Sequence, residues 1–345
     1  MTLSKGEVGL RFGASFAVLL SFLMFDGSVA AQTKTQLARC AGRDPELVIL
    51  GCTGVIASRE ASAEFISLAL NNRAVAYEAR GRNDLAMADL NEAIKRDSTN
   101  PHAWVNRGNL YLAQGQFERA LADYTQDIAI HPNNPAVFGH RADAYLIHGD
   151  PAHALLDYDQ AIKLGPKNAR FFVYRGEAYR VQGDDDRAIA DFSRAIALDA
   201  KYSFAYDNRA LAYERKGDYE RAIADYDHAI AIDPNDASAY NNRGSAHATK
   251  GDYDHAIADF DLAVKLDPAL PEVFVNRGLA QVKAGRYASA ISDFNDALRR
   301  NPKDARSLYI RGIAKQKMGD QTGADIDIKG ARILDPTVGI SDSPQ

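Results

Sequence analysis

The chain has 345 residues, 46% apolar and 25% charged, with a formal net charge of −5. This composition supplies a core and fits neither a collagen-like nor a wholly disordered chain. Residues 1–31 hold two basic residues (Lys5, Arg11) and two acidic ones (Glu7, Asp26), so the remainder also carries −5. A net acidic body lacks the basic face that phosphate neutralisation needs, which argues against nucleic acid as partner.

The chain opens "MTLSKGEVGLRFGASFAVLLSFLMFDGSVAAQ", an apolar run from Ala14 to Phe25 followed by Val29-Ala30-Ala31. The run is too short to span a bilayer comfortably, and the small residues suit a signal peptidase. Residues 1–31 are therefore read as a signal peptide cleaved after Ala31, which sends the chain to the periplasm or out of the cell. The alternative is an uncleaved inner-membrane anchor through residues 10–25. A lipoprotein is not expected, because Cys40 follows Arg39 and not a small residue. Residues 32–66 form a head that contains the only cysteines, Cys40 and Cys52. In an oxidising compartment they are expected to close a disulfide; two unpaired thiols are the alternative. Leu47 to Ile56 reads as a helix that covers the start of the body at residue 67.

From Phe65 onward the sequence repeats every 34 residues. Arginine recurs at Arg73, Arg107, Arg141, Arg175, Arg209, Arg243, Arg277 and Arg311, and glycine eight later each time, from Gly81 to Gly319. Alanine follows five after the glycine, and aspartate three after that, at Asp89, Asp123, Asp157, Asp191, Asp225, Asp259, Asp293 and Asp327. Each repeat reads as two helices. The first has a bulky residue with only Ala or Gly four later, and the glycine ends it as a left-handed cap. The second carries apolar residues at 3–4 spacing, as in Ala222, Ile223, Tyr226, Ala229 and Ile230, and proline follows in most repeats. No strand alternation appears between Phe65 and Asp335. The fold class is all-α, a helical-pair solenoid of eight repeats: 67–100, 101–134, 135–168, 169–202, 203–236, 237–270, 271–304 and 305–338. In the eighth, Asp325 and Arg332 replace the apolar residues that would cover a next repeat, so that face should meet water. Residues 339–345 are expected to be a disordered tail.

An arginine and an aspartate sixteen residues apart recur eight times, and a catalytic dyad is needed only once. The pairs, among them Arg107 with Asp123, Arg175 with Asp191, Arg209 with Asp225 and Arg243 with Asp259, are therefore structural ties. Each arginine has two candidate carboxylates, sixteen residues on or eighteen back, except Arg73, whose backward slot is Val55. Catalytic chemistry finds no motif. The eight histidines fall in unrelated slots without an HExxH, and no glycine-rich phosphate loop or GxSxG is present. "GDDDRA" (Gly183 to Ala188) lacks the twelve-residue calcium loop with its terminal glutamate. His148 and His153, which straddle a turn, offer at most an adventitious metal contact. No catalytic, cofactor-binding or metal residue is expected, and the chain is read as not an enzyme.

The frame of bulky residue, small residue, tyrosine, glycine turn, alanine, aromatic, alanine and proline at period 34 closely resembles the tetratricopeptide repeat. "NRG", "GDY" and "AIADYDHAIAIDP" are similar to a variant common in bacterial members. The head "CAGRDPELVILGCTGVIAS" is similar to head segments of exported alphaproteobacterial repeat proteins. The resemblance implies a right-handed superhelix whose first helices line a concave groove for peptides or helices of partner proteins. Carried over by slot, the groove candidates are Val105, Asn109, Asp143, Arg170, Val173, Glu177, Arg180, Asp207, Glu214, Arg215, Asn241, Ser245 and Lys283. The lysine-based carboxylate clamp of chaperone-binding relatives is not carried over, because no lysine occupies the early groove slots. A tyrosine stripe (Tyr77, Tyr111, Tyr145, Tyr179, Tyr213) reads as packing, and it lapses into His247, Gln281 and Lys315.

The expected function is a non-catalytic scaffold of the bacterial cell envelope that binds a protein or peptide partner, contacting membrane only if the signal is uncleaved. A membrane-anchored regulatory or assembly subunit is the first alternative, and a groove for a small molecule or glycan the second.

Overall fold

The computed structural model describes residues 29–58 and 61–339. Residues 1–28, most of the expected signal peptide, and residues 340–345 of the expected tail lie outside the described residues. The described residues form eighteen α-helices and no strand. The head is α1 (Val29–Cys40) and α2 (Pro45–Ile56). First helices of the repeats are α3 (Ala63–Ala79), α5 (Pro101–Ala113), α7 (Pro135–Ile147), α9 (Ala169–Val181), α11 (Ser203–Arg215), α13 (Ala237–Thr249), α15 (Pro271–Lys283) and α17 (Ala305–Lys317). Their partners are α4 (Asn83–Arg96), α6 (Phe117–Ile130), α8 (Pro151–Leu164), α10 (Asp185–Leu198), α12 (Tyr219–Ile232), α14 (Tyr253–Leu266), α16 (Tyr287–Arg300) and α18 (Gln321–Leu334). The chain divides into two compact units, one ending at Ala178 and the other beginning at Tyr179.

Local chemistry sets the helix ends. Asn100 and Asn134 cap α5 and α7 through their side-chain oxygens, with proline at the first helical position, where its missing N–H costs nothing. Gly115 ends α5 at φ +72, and the Gln116 N–H reaches back to the Tyr111 carbonyl at 2.8 Å. The small residues on the first helices make room for second-helix aromatics. A Cβ on Gly108 would lie 2.6 Å from the Tyr124 ring, and one on Gly244 2.9 Å from Phe260. Tyr124, Tyr158, Phe192, Tyr226, Phe260 and Phe294 are all fully buried and form the recurring core position.

Both ends are finished differently from the middle. In the head, Cys40 and Cys52 form a disulfide and share a core with Val48, Val55, Ala69 and Ala76. This joins α1, a helix that sequence reading leaves unassigned, to α2. Thr53 on α2 accepts a hydrogen bond from Arg73 Nη1 at 3.0 Å, so α2 stands in for the second helix of a preceding repeat. At the other end Asp325 and Arg332 are exposed, as are Ile326 and Ile333 beside them. Val338 is buried, its N–H bonded to the Asp335 carbonyl, so the chain is held up to that point.

Candidate functional site

The recurring arginine is a three-way staple. In seven repeats its Nε and Nη2 donate to the two oxygens of the aspartate sixteen residues on, at 2.6–2.9 Å. Of the two candidate carboxylates, these seven arginines take their own repeat's. The third donor, Nη1, goes back sixteen residues to the preceding second helix: Asn91, Thr125, Asp159, Ser193, Asp227, Asp261 or Asn295. Arg175 is the donor to Asp159, and Asp191 is buried like its equivalents. The aspartate bond pushes the pKa of Arg73, Arg107, Arg141, Arg209, Arg243 and Arg277 upward, so the charge is permanent. These residues hold the scaffold and leave nothing over for a ligand.

In the N-terminal unit most groove candidates are already engaged. Val105 and Val173 are buried in the core. Tyr124 donates its hydroxyl to Asn109 Oδ1 at 2.7 Å, and Tyr158 does the same to Asp143 Oδ1 at 2.5 Å. Burial pushes the Asp143 carboxyl up to about 6, opposed by the Tyr158 bond and the Arg170 charge. Arg170 lies 3.8 Å from the other Asp143 oxygen and stacks on Tyr174. Glu177 is also buried.

The C-terminal unit differs. Asp207 and Glu214 lie seven residues apart on α11, hence on one face, with Leu211 between them. Tyr226 on α12 stands where Tyr124 and Tyr158 stand, but the residue fifteen before it is Leu211, which offers no acceptor. The Tyr226 hydroxyl, Asp207 Oδ1, Glu214 Oε1 and Arg180 Nε are all closed to water and have no hydrogen-bond partner. They sit together: burial raises the Tyr226 pKa, and the charges of Glu214 and Asp207 raise it further while Arg180 opposes them. Burial pushes Asp207 up to about 7, aided by Asp236, Asp225 and Asp233. It does the same to Glu214, also to about 7, with Tyr226 opposing by proximity but making no well-formed bond.

The other candidates in this unit are committed or remote from that cluster. Arg215 donates to the Arg180 carbonyl at 2.6 Å and lies 3.4 Å from Asp185. Asn241 accepts from Asn276 at 3.0 Å, a bond between equivalent faces that sequence reasoning missed. Ser245 bonds back to the Asn241 carbonyl, and Lys283 is exposed at the end of α15.

The tyrosine stripe belongs to packing and to cation stacking. Arg119 lies over Tyr111, Arg187 over Tyr179 and Arg221 over Tyr213, each arginine eight residues after its ring. His153 stacks on Tyr145 in the same way. In the first repeat the slot eight on is Leu85, and Arg82 covers Tyr77 instead. In the last two repeats that slot holds Ser289 and Gly323, which carry no cation, and the ring is absent as well. Lys315 there pairs instead with Asp327 at 2.8 Å.

Family models described as TPR repeat or tetratricopeptide repeat match residues 74–115, 101–134, 140–203, 215–251 and 244–315. The chain is a tetratricopeptide repeat protein. Such repeats are protein-interaction scaffolds, typically without catalysis and typically engaging protein or peptide partners. Among solved structures, a tetratricopeptide repeat protein of Parabacteroides merdae is 20% identical, covering 77% of this chain and 98% of that one with TM-score 0.55. The C-terminal part of a repeat-containing protein of Cytophaga hutchinsonii is 18% identical, over 69% and 97%, with TM-score 0.56. The Cut9–Hcn1 hetero-tetramer of the APC/C gives 15% identity over 91% and 61%, with TM-score 0.55. At these identities the likeness is one of fold. No curated protein matches the chain.

Proposed function

We propose that this repeat protein is a non-catalytic scaffold of the bacterial cell envelope. It holds an extended segment of a partner protein against the first-helix face of the fifth repeat. The observation that carries this reading is the set of four polar atoms, on Arg180, Asp207, Glu214 and Tyr226, that are closed to water and unpartnered. Each such atom costs about 1–3 kcal/mol; in the second and third repeats the tyrosine hydroxyl is spared this cost by Asn109 or Asp143. A polypeptide that opens the cluster as it binds relieves it: backbone N–H groups or a basic side chain donate to the two carboxyls, and a carbonyl accepts from Arg180. Export is supported by the apolar N-terminal segment and by the Cys40–Cys52 disulfide, a bond that persists in oxidising compartments. No helix among the described residues is long and apolar enough to cross a membrane.

A phage-displayed random peptide library panned on the full chain tests the groove. Enriched peptides should lose binding to an Asp207→Asn/Glu214→Gln double variant. Failure to enrich, or equal binding to the variant, would contradict it. Mass spectrometry of the N-terminus in the native host tests export, with a mature chain starting at Gln32 expected and an intact Met1 against it.

A further inference from the structure

Four second helices open on one device. Asp150, Asp184, Asp218 and Asp252 cap α8, α10, α12 and α14, each accepting the backbone N–H of the residue three on. The side chain of that residue folds back to the same carboxylate: His153 at 2.6 Å, Arg187 at 2.6 Å, Arg221 at 2.5 Å and His255 at 2.7 Å. The returned group also lies on the ring that ends the preceding helix, a tyrosine in the third, fourth and fifth repeats. In the sixth repeat that ring is His247, its centroid 5.3 Å from that of His255. A stacking position has become a third potential donor atom beside the Asp–His pair. His247 Nδ1 lies 3.6 Å from Asp252 Oδ2, and one ligand atom from each of His247, Asp252 and His255 falls within 4.8 Å of the others.

We propose that His247, Asp252 and His255 bind a zinc ion at the turn between α13 and α14. Two imidazoles and a carboxylate are a zinc donor set, and bonds of about 2.0–2.2 Å in a tetrahedron place ligand atoms about 3.3–3.6 Å apart. The observed 2.7 and 3.6 Å contacts to Asp252 bracket that spacing, and a bound ion would widen the first while drawing the two imidazoles, whose ligand atoms lie within 4.8 Å, toward each other. His247 is half-buried and held on α13, facing the turn that carries Asp252 and His255. The other charges around it are paired, Arg243 with Asp259, Lys250 with Glu220 and Asp254 with Arg286, so Asp252 supplies the site's anionic charge. His255 and Asp252 are exposed, leaving a fourth coordination position open to water or to a side chain of a bound partner.

Calorimetric titration of zinc chloride into the chelator-treated full chain tests the site. One equivalent should bind at micromolar concentration or below. His247→Tyr, which restores the ring carried by the preceding repeats, should weaken binding at least tenfold while leaving the metal-free melting temperature unchanged. His255→Ala, at an exposed position, should show the same loss. Tyr145→His gives the third repeat, with its Asp150 and His153, the same ligand set and should add a second equivalent. Absence of zinc binding by the wild-type chain, wild-type affinity in either loss variant, or a single equivalent in Tyr145→His would overturn the assignment.

Discussion

The third and fifth repeats share a buried tyrosine in the second helix and differ at the residue fifteen before it. In the third, Asp143 takes the Tyr158 hydroxyl; in the fifth, Leu211 offers no acceptor, and the Tyr226 hydroxyl lies beside the Glu214 carboxyl without a well-formed bond. The frame around both is the same, with Arg141 on Asp157 and Arg209 on Asp225 in matching bidentate pairs. A fold that satisfies a buried tyrosine at one place and not at the equivalent one differs there in what it can offer a ligand, which is why the proposed binding face is set at the fifth repeat. Departures from a repeat's own rule therefore locate function better than the rule does.

The largest expected effect is one the two repeats share. Arg141→Ala and Arg209→Ala each strand a buried aspartate, and each should cost about 3–5 kcal/mol in urea denaturation. A large difference between them would break the premise that the frames are equivalent. A smaller effect should separate the repeats. Tyr158→Phe removes the bond to Asp143 and leaves that carboxyl uncompensated, for a loss of about 1–3 kcal/mol.

The pH dependence should separate them more finely. Asp207 and Glu214 are raised to about 7 and Asp143 to about 6, all mainly by burial. For such groups the folded state holds protons that the unfolded chain releases near pH 4, so their stabilisation is complete below about pH 4 and declines as pH rises. The decline should end near pH 6 for Asp143 and near pH 7 for the pair in the fifth repeat. Melting temperatures of the Asp207→Asn/Glu214→Gln variant should thus lack the fall between pH 6 and 7 that the parent shows.

Much of the scaffold was legible in the sequence because it is written eight times. The period, the positive-φ glycines and the Arg–Asp spacing each follow from residues that recur without exception. The acceptor of Nη1 was not legible, since Asn, Thr, Asp and Ser all serve and no single letter marks the slot. The groove was legible only as a face. A slot tells which side a residue occupies but not whether its atoms are already bonded, so Asn109 and Asn241, both committed to neighbours, stood beside Asp207 and Glu214, which are not. The cations that cover Tyr179 and Tyr213 were not legible either, since they come from the following helix.

The most direct test of the account is the stability of Tyr226→Phe measured beside Tyr158→Phe by urea denaturation. If the Tyr226 hydroxyl is reserved for a ligand, removing it from the free protein should change stability by less than about 0.5 kcal/mol or raise it, because a buried group without a partner stabilises nothing. A loss as large as that of Tyr158→Phe would show that the hydroxyl is part of the fold's own bonding and contradict the assignment of this repeat as the binding site.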